Sequence, residues 1–376
     1  MFFSSPTLHP PLITTDQHRD LVRGKITALA APAAAAQPVA APIAAGAPIS
    51  IALTTVSMSG NFDAWINVQF PKQGGSPITA SLLVDSGNAT MIIPNGEDLV
   101  GVPGYTILGT AKEPWGCPAN VVRGPLQIVS TSGSVYTISN CVFYACTADN
   151  KDGERTANFG LGRVTPWSAN GWNTPLPGVT MQSPLSYNTA YPYAEVVYAP
   201  TATILSRTAD VLVSRGSTIT LYAAAPSGYT LLNIIPNLEW MSVVPAALAI
   251  GGTTTGWPGN VSSPIAMIDT GGGPVFLSDP NGYVYPKTWP DTVTCPSWAS
   301  SSQSCNCISD ALKIGLKAAS GGASYGYTID TSSLPPPVQG LTAVMCKVNA
   351  FMMDQQGMNV GGITALFNRI LINYGG

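Results

Sequence analysis

From Ile49 onward the chain alternates short apolar, β-branched runs with breaks rich in Gly, Pro, Asn and Ser. The runs ISIALTTVSM (49–58), AWINVQF (64–70), ITASLLVD (78–85), PLQIVST (125–131) and SVYTISNCVFY (134–144) predict strands joined by tight turns. The second half repeats the texture in STITLYAA (217–224), GYTLLNII (228–235), AALAIGG (246–252) and SPIAMID (263–269). Helix-like spacing is read only at SDALKIGLKAA (309–319) and ITALFNRI (363–370). The pattern predicts an all-β, antiparallel body with a few short helices.

Composition agrees with a turn-rich β protein. Only 9% of the 376 residues are charged, while 38 are Gly and 33 are Pro. A net charge of -3 without a Lys/Arg cluster argues against nucleic acid and anionic membrane surfaces as partners. Residues 1–48 include an Ala/Pro stretch broken by Pro32, Pro38, Pro42 and Pro48, which reads as a tail, propeptide or linker and not as a membrane span. Arg23 and Lys25 before it would form the basic end of a non-standard signal segment. Together with seven cysteines, this leans towards a secreted or cell-surface protein.

His9 and His18, the only histidines, both fall in that tail. The body therefore lacks the imidazole of a Ser-His-Asp triad, a Cys-His dyad or a histidine zinc site. Cys141/Cys146 and Cys305/Cys307 are weak metal candidates, and local disulfides or buried thiols are the simpler reading. Proton transfer would fall to carboxylates, Tyr, Lys or backbone groups.

An internal repeat sharpens the picture. Leu82-Leu83-Val84-Asp85-Ser86-Gly87 and Ala266-Met267-Ile268-Asp269-Thr270-Gly271 are both apolar strands running into Asp-Ser/Thr-Gly. Each is followed by a second glycine element, Asn158-Phe159-Gly160-Leu161-Gly162 in the first half and Met358-Asn359-Val360-Gly361-Gly362 in the second. Chance supplies roughly 0.3 such Asp triplets at this composition, so a matched pair is more than two strand-ending turns.

In these motifs the chain resembles the pepsin-like aspartic proteases, over residues 49–376. Ile93-Pro94, Phe159-Gly160-Leu161-Gly162 and the closing stretch from Val360 to Asn373 are similar to further family segments. The resemblance implies a bilobal fold of two duplicated β-barrel-like lobes, with an N-terminal lobe at 49–200 and a C-terminal lobe at 201–376. It implies catalytic Asp85 and Asp269, supported by Ser86, Gly87, Thr270 and Gly271, and a disulfide between Cys295 and Cys346. Around residues 110–128 it implies a covering hairpin, with Trp115, Gly116 and Asn88 against the substrate. Asn88 and Gly272 stand where the family carries Ser or Thr, Trp115 where it carries a tyrosine, and Gly362 where its closing motif has Asp.

The chemistry implied is peptide-bond hydrolysis by a water activated between two carboxylates that share one proton, without metal or organic cofactor. The partner would be a polypeptide in extended form and the protein a monomer. The alternative is a pepsin-like protein retained as a binding or inhibitory module, and an unrelated β-sandwich would hold the two aspartates apart.

Overall fold

The computed structural model describes residues 46–58, 61–94, 96–113, 116–147, 157–163, 175–199, 204–208, 211–235, 241–250, 253–255, 265–272, 275–278, 306–308, 311–319, 324–333, 345–347 and 357–375. Strand dominates these residues. The largest sheet has twelve strands, among them β1 (Ile49–Met58), β2 (Asn61–Phe70), β3 (Ile78–Asp85), β4 (Met91–Ile93), β5 (Thr106–Lys112), β6 (Pro118–Val129), β7 (Val135–Cys146) and β8 (Asn158–Gly160). In it β3, β8, β4, β7 and β6 follow one another, and β6 pairs back onto β2, so this half closes into a barrel.

The second half repeats that wiring. In the first half β3 runs parallel to β8, β8 antiparallel to β4, and β4 parallel to β7, which is hairpinned to β6. In the second, β15 (Ile265–Met267) runs parallel to β21 (Gly357–Val360), β21 antiparallel to β16 (Val275–Ser278), and β16 parallel to β20 (Met345–Lys347), which pairs with β17 (Asn306–Ile308). One supersecondary plan is thus used twice, and the strand that ends in the Asp triplet holds the same place in both. A third element joins the two halves. There β1 pairs with β11 (Val211–Tyr222), β11 with β9 (Tyr193–Val197), and β9 with β22 (Ile370–Asn373) at the chain's end.

Strand alternation explains the first-half core. On β7, Cys141, Phe143 and Ala145 face the main core with Phe70, whose ring lies 5.5 Å from that of Phe143. Val142, Tyr144 and Cys146 face a second cluster with Ile92, Val121 and Met181. Both faces of this strand are covered, so its sequence reads as a continuous apolar run. Cys141 and Cys146 consequently lie on opposite faces of β7, which rules out a shared metal or a bond between them. Cys117, Cys141 and Cys146 are all buried thiols, not disulfides. The implied partner Cys295 is outside the described residues, as is Cys305, and the ladder sets Cys307 opposite Cys346.

Three expectations from the sequence are corrected. Residues 312–317 form a strand, β18, between β13 (Pro245–Ile250) and β19 (Ser324–Ile329), and not a helix. Leu312, Ile314 and Leu316 are buried while Lys313 and Lys317 are exposed, the two-residue period of a half-buried strand. Residues 228–235 form no strand, although Leu232 and Ile234 pack on the core. The stretch has apolar alternation but no neighbouring ladder, and Leu231 is 70% exposed. Near the end, helical backbone is confined to one turn, α1 (Thr364–Phe367), because Asn368 turns extended and leads into β22. Among the described residues no helix is long and apolar enough to cross a membrane.

Candidate active site

Each half delivers its aspartate at the end of a buried parallel strand. Asp85 closes β3 opposite Gly160 of β8, whose neighbour Leu161 donates its N–H to the Asp85 carbonyl at 2.7 Å. A Cβ on Gly160 would stand 2.3 Å from the Thr90 carbonyl oxygen, so only glycine lets β8 pass beneath the 85–90 loop. In the second half Met267 pairs with Asn359 on β21, in the same two-residue offset from Asp269.

The two loops then bond to each other. The Ser86 hydroxyl donates to the Ile268 carbonyl at 2.8 Å and accepts the Thr270 N–H at 3.0 Å. The Thr270 hydroxyl donates to the Val84 carbonyl at 3.0 Å and accepts the Ser86 N–H at 3.0 Å. Both side chains are fully buried, so these four bonds close off four backbone groups that would otherwise be costly. A Cβ on Gly87 would lie 2.7 Å from the Asp269 Cγ, and one on Gly271 would lie 2.8 Å from the Asp85 Cγ. Each triplet glycine is therefore the seat of the opposite carboxylate, and the two carboxyl groups hydrogen-bond to each other.

Donors around the carboxylates are nearly symmetric. Asp85 Oδ1 accepts the N–H groups of Gly87 at 2.8 Å and Asn88 at 3.1 Å, while Asp269 Oδ1 accepts that of Gly271 at 3.0 Å. The Gly272 N–H goes to the Asp269 backbone carbonyl at 3.2 Å, so Asp269 has one donor fewer. On the other oxygens, Asn158 Nδ2 donates to Asp85 Oδ2 at 2.6 Å and Asn359 Nδ2 donates to Asp269 Oδ2.

Burial is the largest influence on both acids. It raises the Asp85 carboxyl above its ordinary range, against the lowering effect of Asn158, Asp269 and the N–H groups of Gly87 and Asn88. Burial, followed by the negative charge of Asp85, pushes Asp269 well above that range. Asp85 has the additional N–H donor, which favours its charged form relative to that of Asp269. Tyr198 stands behind the pair, its hydroxyl 3.5 Å from the Thr270 carbonyl.

The residues proposed to meet substrate divide. Gly116 lies in the β5–β6 turn with φ +93 and donates to the Glu113 carbonyl at 2.8 Å, a geometry that requires glycine. Trp115 lies outside the described residues. Asn88 sits in the Asp85 loop, but its side-chain oxygen accepts the N–H of Thr90 at 2.9 Å and its hydroxyl at 3.0 Å. Its Nδ2 has no hydrogen-bond partner among the described residues, so Asn88 gives the carboxylate no side-chain support. That support comes from Asn158 and Asn359, which the sequence reading did not assign. Their signal was the Asn-X-Gly spacing shared by both glycine elements.

Among solved structures, the chain is similar to basic 7S globulin from soybean, with a TM-score of 0.51, 13% identity, and coverage of 87% of this chain and 94% of that one. The fold is pepsin-like. At this identity the likeness is one of fold alone. No protein-family model matches the sequence, and no curated protein matches it.

Proposed function

We propose that this pepsin-like protein is an aspartic-type endopeptidase acting on an extended polypeptide. The observation that supports this best is the Ser86–Thr270 exchange, which brings two carboxyl groups from distant parts of the chain within hydrogen-bonding reach. Asp85, ionised, removes a proton from a water held between the acids, and that water attacks the scissile carbonyl carbon. Asp269, protonated, gives its proton to the carbonyl oxygen and stabilises the tetrahedral intermediate; as the C–N bond breaks, the proton that Asp85 took from water passes to the leaving amine and Asp269 recovers its own from the intermediate's hydroxyl, which restores the dyad. Pepsin-like dyads are a standard illustration of paired carboxyls sharing a proton, so that sharing is a general principle applied here.

Digestion of a peptide library between about pH 3 and 7 tests the proposal. Asp85→Asn and Asp269→Asn should each lower turnover by ~10²-fold or more. Unchanged turnover in either variant rejects it.

A second reading is that the frame binds peptides with little or no hydrolysis. It is favoured by the structural likeness to a protein named as a globulin and not as a peptidase, and by the absence of a hydroxyl at positions 88 and 272. Binding of a statine-containing peptide without cleavage of any library member supports that reading; cleavage that needs both aspartates ends it.

A further inference from the structure

We infer that Asn158 and Asn359 are a matched pair of positioning residues, one in each half, that fix the Oδ2 oxygens of Asp85 and Asp269 in place of side-chain hydroxyls. The inference rests on the hydrolytic reading for its purpose, but on geometry for its content.

Three observations carry it. First, the two amides are equivalent in the duplicated plan. Asn158 pairs with Leu83, two residues before Asp85, and Asn359 with Met267, two residues before Asp269. Second, both are about 1% exposed, and each reaches the carboxylate oxygen facing away from the partner acid. The Oδ1 atoms face across, since Asp269 Oδ1 lies 2.7 Å from a Cβ placed on Gly87 and Asp85 Oδ1 lies 3.0 Å from one placed on Gly271. Among the described residues the amide oxygens of Asn158 and Asn359 have no hydrogen-bond partner, so the carboxylate is what holds each amide. Third, a Cβ on Gly272 would stand 2.8 Å from Asp269 Oδ2 and 3.0 Å from Asn359 Nδ2. Asn359 occupies the space a Ser or Thr at 272 would need, so glycine at 272 and asparagine at 359 form one arrangement.

An N–H donor favours the charged carboxylate, so losing it shifts the dyad's titration to higher pH. The titratable groups facing the dyad among the described residues are the two acids and Tyr198, with Asp63 acting on Tyr198 in turn.

The test is a ¹³C carboxyl NMR titration of the full chain, with the dyad signals assigned from Asp85→Asn and Asp269→Asn spectra. Asn158→Leu should raise the dyad's lower titration midpoint and Asn359→Leu its upper one, each by about one pH unit, the scale of a hydrogen bond to a charged group. Asn→Gln at the same positions should restore part of the shift. Where a leucine variant does not fold, the alanine variant is titrated instead. Midpoints that coincide with those of the unaltered protein in a folded variant overturn the inference. Binding of a statine-containing peptide, measured in parallel by calorimetry, keeps the two ideas separate. Shifted midpoints in a protein that neither cuts nor binds peptide leave the Asn pair standing and remove the hydrolytic reading.

Discussion

Ser86 and Thr270, 184 residues apart, each donate a hydroxyl proton to the carbonyl that precedes the other's aspartate and accept the other's backbone N–H. The bonds are reciprocal, so neither loop can move without breaking contacts in both. Removing one hydroxyl strands a buried N–H and a buried carbonyl. Ser86→Ala and Thr270→Val should each destabilise the fold by about 2 kcal/mol or more in denaturant unfolding, while Ser86→Thr and Thr270→Ser stay close to the parent. An alanine variant as stable as the parent would mean the exchange carries no free energy.

Raised carboxyl pKa values give the dyad a signed effect on stability. Asp269 has a folded-state pKa well above its ordinary value, so the folded chain binds that proton more tightly than the unfolded chain does. The resulting stabilisation is fully present below the unfolded value near 3.8 and is lost as pH rises through the folded one. Asp85 shifts in the same direction. Asp269→Asn removes the ionisation, and its melting temperature should exceed the parent's at pH 7 by more than it does at pH 4. Equal differences at both pH values would contradict a buried, reluctant acid at this position.

Both aspartates were legible in the sequence because a strand running into Asp-Ser/Thr-Gly is rare enough that its recurrence carries information, and the glycines are needed where the opposite carboxylate sits. The asparagines were harder to read. A carboxamide on a strand looks like an exposed face until the ladder shows that β8 and β21 are interior, flanked on both sides. Residues 312–317 failed for another reason. Gly315 and the two lysines fit either period, and only pairing with β13 and β19 selects the strand. Trp115 and Cys295 had roles implied by the resemblance, and both lie outside the described residues.

Gly272 and Asn359 share one space beside Asp269, so substitutions at the two positions should be energetically coupled. Gly272→Ser adds a hydroxyl beside Asp269, yet its Cβ collides with Asp269 Oδ2 and Asn359 Nδ2. Alone it should cost about 1–3 kcal/mol, the scale of overpacking a close-packed site. With Asn359→Val, whose shorter side chain vacates the position, the serine should be accommodated at a smaller cost than the two single changes added together. A double-mutant cycle by denaturant unfolding measures that difference, and strict additivity would show that the two residues do not share the space.

The thiols give a last check on the strand geometry. Cys141 is buried in the main core, and burial pushes its thiol up to about 12, so almost none is thiolate at neutral pH. Cys146 is buried on the opposite face of the same strand. Because thiolate and access are both required for disulfide exchange, Cys141 should resist an aromatic disulfide reagent at pH 8 until the chain unfolds, and then react promptly. Peptide mapping of native protein held with oxidised glutathione should show no Cys141–Cys146 bridge, since closing one would require turning a side chain through the sheet. Recovery of that bridge from folded protein would mean that β7 does not alternate its faces as Phe143 and Tyr144 indicate.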